Sequence, residues 1–137
     1  RFATPARLPN ADEIHVLWPE EAMAIVRPDM GTAIVVLTHD DKFDLPMLRA
    51  ALASDAFYVG ALGSRKNQAR RNELLREAGV SDEDIERIAG PSGLDIGADS
   101  PAETALSMLA EMLAVRAGRS GGRLKEAKTR IHAEPVA

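Results

Sequence analysis

The sequence predicts an α/β fold, a parallel sheet flanked by helices. Three observations carry this. Two β-branched apolar runs, Thr32–Leu37 and Phe57–Leu62, are continuous rather than alternating, the pattern of strands buried on both faces. Helix signals fall between and after these runs, so strand and helix alternate along the chain. The length of 137 residues, 45% of them apolar, suits one domain with a sizeable core.

Ile14–Leu17 reads as a first short strand. Pro19 can open a helix at its first position, where the missing N–H costs nothing, and Pro28 closes it. After the strand Thr32–Leu37, Asp44 is the expected cap of the next helix, with Pro46 in its first turn and Ser54 near its end. Phe57–Leu62 is the next strand. Ser64 caps a helix over Arg65–Ala78, and Gly79 ends it. Ser81 starts a short acidic helix that Gly90-Pro91 terminates, and Gly93–Ala98 is a turn or short strand. Ser100-Pro101-Ala102-Glu103 is a capping box with proline at the first helical position. The helix it opens runs to about Arg116 and stops at Gly118. Along it Glu103, Ser107 and Glu111 form a narrow polar stripe, with Ala105, Leu106, Leu109, Met112 and Leu113 over much of the rest. So wide an apolar surface is expected to be covered twice, by the sheet and by another helix or a second copy of the chain.

These elements describe a Rossmann-like sheet that lacks its first βαβ glycine-loop segment, since no glycine-rich turn follows an opening strand. Residues 1–118 are read as this partial domain and 119–137 as a polar arm or tail. The chain opens on Arg1 rather than methionine, so upstream sequence is expected. If Ile14–Leu17 is the third strand of such a sheet and Thr32–Leu37 the fourth, a gap lies between them. Strands supplied by an upstream piece or another chain are the favoured way to fill it. Direct pairing of the two strands and a strand lent by a second copy are the alternatives.

Composition narrows the function. The net charge of −4 argues against nonspecific nucleic-acid binding, which needs a basic surface. With no cysteine, the chain holds no disulfide, thiolate metal site or cysteine nucleophile. No apolar run approaches the roughly 20 residues of a membrane helix, and no signal peptide is evident, so the cytoplasm is the expected location without membrane association. His15, His39 and His132 lack metal-ligand spacing, so no metal site is expected. The five methionines (Met23, Met30, Met47, Met108 and Met112) read as core filler.

In open parallel sheets ligands bind beyond the carboxyl ends of strands, which selects three clusters. Thr38, His39 and Asp40 offer a hydroxyl, an imidazole and a carboxylate, or form a plain polar loop. No nucleophile partners them, so no catalytic residue is assigned. Gly60, Gly63, Ser64 and Arg65 span a strand end and a helix start. Gly63 permits a tight turn, Ser64 caps, and free N–H groups with the Arg65 fork suit a phosphate or carboxylate. The plainer alternative is a strand-to-helix turn with a solvated arginine. Gly93, Asp95 and Gly97 form a tight loop in which Asp95 binds ligand or, by preference, braces the turn. Arg65, Lys66, Arg70 and Arg71 read as a solvated helix surface.

Three motifs occur together: Val36-Leu37-Thr38-His39-Asp40, Phe57-Tyr58-Val59-Gly60-Ala61-Leu62-Gly63-Ser64-Arg65, and Gly90-Pro91-Ser92-Gly93-Leu94-Asp95-Ile96-Gly97-Ala98 followed by Pro101-Ala102-Glu103. In this order and spacing they resemble the C-terminal Rossmann domain of the XdhC/CoxI family, accessory proteins of molybdenum hydroxylases. Phe2-Ala3-Thr4-Pro5 and Ala11-Asp12-Glu13 are similar to the segment after that domain's second strand. The resemblance implies a chaperone-like module that binds molybdenum cofactor and assists its sulfuration and insertion. The implied partners are a molybdenum hydroxylase such as xanthine dehydrogenase, a sulfurating enzyme, and either a second copy of the chain or the missing N-terminal segment. The competing reading is an NAD(P)-dependent oxidoreductase domain with Tyr58 or His39 as proton donor, although Tyr58, inside a strand, reads as packed.

Overall fold

The computed structural model describes residues 3–132. Its elements in chain order are α1 (Pro19–Val26), β1 (Ala33–Val36), α2 (Asp41–Ala53), β2 (Tyr58–Ala61), α3 (Arg65–Glu77), α4 (Asp82–Glu86), β3 (Ile88–Ala89) and α5 (Pro101–Ala117), with a 3₁₀ turn at Leu124–Glu126. The strands form one parallel sheet in the order β1-β2-β3, Ala33 pairing with Tyr58 and Val59 with Ile88. Phe2 and residues 133–137 lie outside the described residues.

Successive strand residues point to opposite faces, so register decides what each face holds. Ile34, Val36, Val59, Ala61 and Ile88 point one way and meet Leu48, Ala51 and Leu52 of α2, Leu75 of α3 and Ile85 of α4. This is the main core. Tyr58 and Gly60 point the other way, toward α5. The α1–α2 contact is sealed by Trp18 stacked on Phe43, ring centroids 4.9 Å apart, with the Lys42 ammonium 5.2 Å from the indole.

Several sequence expectations need correction. Ile14–Leu17 forms no strand. Its apolar content suits a strand, but a strand exists only by ladder pairing, and none of the described strands lies beside it. For the same reason β1 is an edge strand, half-buried over Ala33–Val35, and not the doubly flanked strand expected. The cap of α2 is Asp40, whose carboxylate accepts from Lys42 N–H at 3.0 Å. Asp44 lies a turn inside that helix and is fully buried. The acidic helix ends at Glu86, well before Gly90-Pro91, and a two-residue strand, β3, intervenes. Of the two readings of Gly93–Ala98, the non-strand one holds, since the segment bends and contains no strand. Met30 is 80% exposed and fills no core.

The largest revision concerns Arg71, which is not solvated but 1% exposed. Its guanidinium donates to Asp44 Oδ2 at 3.0 Å, Thr38 O at 3.0 Å and Leu62 O at 2.8 Å, while Thr38 Oγ1 donates to the other Asp44 oxygen. One arginine thus holds the chain just beyond both β1 and β2. Arg70, its neighbour, is exposed and pairs with Asp41 at the surface. Arg71→Met is expected to destabilise by about 3–5 kcal/mol, because it leaves Asp44 charged and unpaired in the interior. Urea unfolding measures this, and a loss under about 1 kcal/mol would contradict the role assigned to the pair.

Helix α5 is inverted relative to expectation. Ser107 and Glu111 of its polar stripe face inward, whereas Leu106, Leu109 and Leu113 are 56–60% exposed. Leu109→Gln is therefore expected to change stability by less than about 0.5 kcal/mol, against about 2–5 kcal/mol for Leu48→Ala in the core. A comparable loss from both in thermal unfolding would mean that the leucine stripe is covered in solution.

Candidate functional site

Because β1, β2 and β3 are parallel, the segments that follow them emerge at one end of the sheet. Thr38–Asp40, Leu62–Arg65 and Gly90–Gly97 are those segments. The second and third line a common cleft of about 370 Å³, with Leu62 and Arg65 on one side, Pro91–Ala98 on another, and Thr104 and Ser107 of α5 completing it. A larger hollow of about 620 Å³ lies against the end of α5 and residues 118–131. The smaller cleft is the candidate site, since strand carboxyl ends are where open parallel sheets bind ligands.

The Arg65 side of the cleft follows from local sequence. Gly63 has φ +135°, a backbone conformation L side chains rarely adopt, and turns the chain from β2 into α3. Ser64 caps α3, its Oγ accepting from Asn67 N–H at 3.1 Å. The amides of Arg65 and Lys66, in the first turn, have no carbonyl a turn earlier to bond. Arg65 itself is exposed and lines the cleft.

The opposite wall is held from α5. Glu111 Oε1 accepts from Gly93 N–H at 3.0 Å and from the Tyr58 hydroxyl at 2.6 Å. The only proton on that hydroxyl goes to the carboxylate, so Ser92 Oγ donates to the phenolic oxygen. Burial raises the Tyr58 pKa above its usual range, and the hydrogen bond to Glu111 raises it further. Gly60 has no room for a side chain, because a Cβ there would lie 2.7 Å from Tyr58 Cε1 and 2.8 Å from Ser92 Oγ. The capping box at the start of α5 is formed, with Ser100 N–H donating to Glu103 Oε1 at 3.2 Å and Glu103 N–H to Ser100 Oγ at 3.1 Å. Backbone N–H bonds from Asp99 and Ser100 hold the Glu103 carboxyl below its usual pKa.

The expected residues therefore divide. Arg65, Gly93, Asp95 and Gly97 line the cleft, and Gly63 and Ser64 shape its edge. Gly60 acts beneath it through close packing. Thr38, His39 and Asp40 share the strand end but not the cleft wall. Thr38 is bound to Asp44 and Arg71, Asp40 is spent on the α2 cap, and His39 is exposed. Asp95 is exposed and does not brace its loop; Glu111 does. Its signal in the sequence was a carboxylate at helical spacing on an otherwise apolar helix. Of the two proton donors named for an oxidoreductase reading, Tyr58 is 3% exposed and committed to Glu111, while His39 is exposed at the end of β1. Among the described residues no group of three His, Asp or Glu is arranged to hold a metal, and no helix is long and apolar enough to cross a membrane.

A parallel sheet with helices on both faces and a cleft past its strand ends is the build of a Rossmann-type binding domain. The chain belongs to the XdhC Rossmann domain family, whose sequence profile matches residues 1–112. It is 40% identical over 100 residues to the molybdenum cofactor insertion chaperone PaoD of Escherichia coli, covering 73% of this chain and 31% of PaoD. It is 29% identical over 115 residues to a probable xanthine dehydrogenase component of Bacillus subtilis, covering 84% of this chain and 33% of that protein. Among solved structures it is similar to a xanthine dehydrogenase of Bacillus halodurans, with TM-score 0.68 and 25% identity over 92% of this chain and 34% of that one. The chain thus spans about a third of the length of these relatives.

Gly60→Ala is expected to cost about 1–3 kcal/mol through overpacking against Tyr58 and Ser92. Calorimetric melting checks this, and an unchanged midpoint would show that the Tyr58 ring has space to move.

Proposed function

We propose that this chain is the ligand-holding Rossmann module of an accessory protein for molybdenum hydroxylases. In this reading it binds molybdenum cofactor during sulfuration and insertion into an enzyme of the xanthine dehydrogenase type. The observation that carries the proposal is the cleft between the start of α3 and the Pro91–Ala98 loop, in a chain of this family. The cleft's chemistry suits the group. Molybdopterin ends in a phosphate, and a capped helix start with free amides and an exposed arginine is an anion-binding arrangement. Gly63, Ser64 and Arg65 would hold the phosphate. Gly93, Asp95 and Gly97 would offer backbone groups and a carboxylate to the polar edge of the pterin. Thr38, His39 and Asp40 are proposed as an outer rim at the same sheet end. When bound, the cofactor supplies the molybdenum centre that the target enzyme uses. The protein's contribution is to hold it and limit its exposure.

The names of PaoD and of the probable xanthine dehydrogenase component support the accessory role and its class of partner. The sulfurating enzyme, a second copy of the chain or a further segment completing the sheet, and the cytoplasm as location belong to the same proposal. Residues 1–118 are proposed as the module and 119–137 as its arm.

The experiment is anaerobic titration of the chain with molybdenum cofactor, followed by pterin fluorescence of the retained fraction. Arg65→Ala is expected to weaken retention by roughly 10- to 100-fold, the worth of one charge-assisted contact of about 1.5–3 kcal/mol. No retention by the unmodified chain, or equal retention by the variant, would overturn the assignment of the cleft.

A further inference from the structure

The loop that forms one wall of the cleft carries an internal backbone bond, Ile96 N–H to Leu94 O at 3.0 Å, and its start is tied to β2 by Ser92 N–H to Ala61 O at 3.0 Å. Asp95, Ile96, Gly97 and Ala98 are exposed, and Gly93 and Gly97 have φ of +121° and +68°. Two bonds from the loop reach α5, namely Gly93 N–H to Glu111 Oε1 at 3.0 Å and Leu94 N–H to Ser107 O at 3.2 Å. The second accepts on a backbone carbonyl that any residue would provide. The first depends on one side chain, and a carboxylate acceptor makes a stronger bond than a neutral one. The same oxygen takes the Tyr58 hydroxyl from β2, so the loop is indexed to the sheet as well as to the helix.

We propose that Glu111 is a positioning residue for the cleft, setting the Gly93–Gly97 wall at a fixed distance from Arg65 without touching the ligand. Arg65 stands on the helix after β2, and Tyr58 starts β2, so both walls are referred to one strand. Losing the carboxylate frees the Gly93 N–H between Ser92, still held to Ala61 O, and Leu94, still held to Ser107 O, so the wall loses its side-chain anchor at the glycine where the backbone can shift most readily. This inference rests on the cleft being the ligand site.

The test compares Glu111→Ala and Glu111→Gln with the unmodified chain by amide hydrogen exchange and by molybdenum cofactor titration. Glu111→Ala is expected to speed exchange of the bonded Gly93 and Leu94 amides by at least about tenfold and to weaken cofactor retention by at least about tenfold. Exchange in β2 and in Leu48–Leu52 should stay as it was. Glu111→Gln keeps an acceptor oxygen at the same place and should restore most of both. Unchanged exchange at Gly93 and Leu94 overturns the proposal. So does a rise shared equally by the loop and the core, which would make Glu111 a general contributor to stability, and so does faster loop exchange with retention intact. If the unmodified chain retains no cofactor, the reading of the cleft is what fails, and the exchange measurement alone then decides whether Glu111 sets the loop.

Discussion

The buried pair of Arg71 and Asp44 is the contact on which the rest of the architecture rests. Both side chains are 1% exposed, so each charge has given up its water and depends on the other. The two backbone carbonyls that Arg71 also engages, those of Thr38 and Leu62, belong to the turns leaving β1 and β2. A hydrophobic pair of the same volume would fill the space without fixing those turns. With the arginine in place, α2 and α3 start at set heights above the sheet, and Arg65 takes its place at the cleft edge as a consequence. A pair of this kind contributes definition more than stability, since its desolvation offsets much of its attraction.

The cleft is built from two supports of different character. On the α3 side, position comes from a glycine turn and a serine cap, both specified within a few residues of chain. On the α5 side it comes from a residue 18 positions beyond the glycine it holds. This division explains what could be read in advance. The strands at Thr32–Leu37 and Phe57–Leu62, the Ser64 cap, the Ser81 start and the Ser100 capping box all express local rules, and the structure places them within a residue or two of expectation. The Glu111–Gly93 bond follows no local rule. Neither does the burial of Arg71, which shares its stretch of sequence with the exposed Arg70 and differs only in which side of the helix meets the sheet.

The misread elements have the same origin. A two-residue strand such as β3 has too few residues to show a period, and it is a strand because β2 is next to it. Ile14–Leu17 is the reverse case, a strand-like composition with no neighbour. Asp40 and Asp44 both suit a cap, and burial decided between them by drawing Asp44 into the Arg71 pair. In α5 the apolar residues outnumber the polar ones, so composition suggested that the apolar side faces the sheet. The polar stripe won that position because Glu111 has bonds to make there with Gly93 and Tyr58, and the small Ser107 lets the Leu94 N–H reach its backbone carbonyl.

The positions of the aromatic residues have a practical consequence. The chain contains one tyrosine and one tryptophan. Tyr58 sits in the clamp under the cleft wall, and Trp18 lies on Phe43 where α1 meets α2. Two regions of the domain therefore carry intrinsic optical labels that do not overlap. Tryptophan emission reports the α1–α2 seam. The ultraviolet absorbance of tyrosinate reports the clamp, because a phenol buried and bonded to Glu111 resists ionisation well past its ordinary range. In an alkaline titration the phenol therefore ionises at ordinary pH only when it has both left Glu111 and reached water, a change visible without any dye or engineered probe.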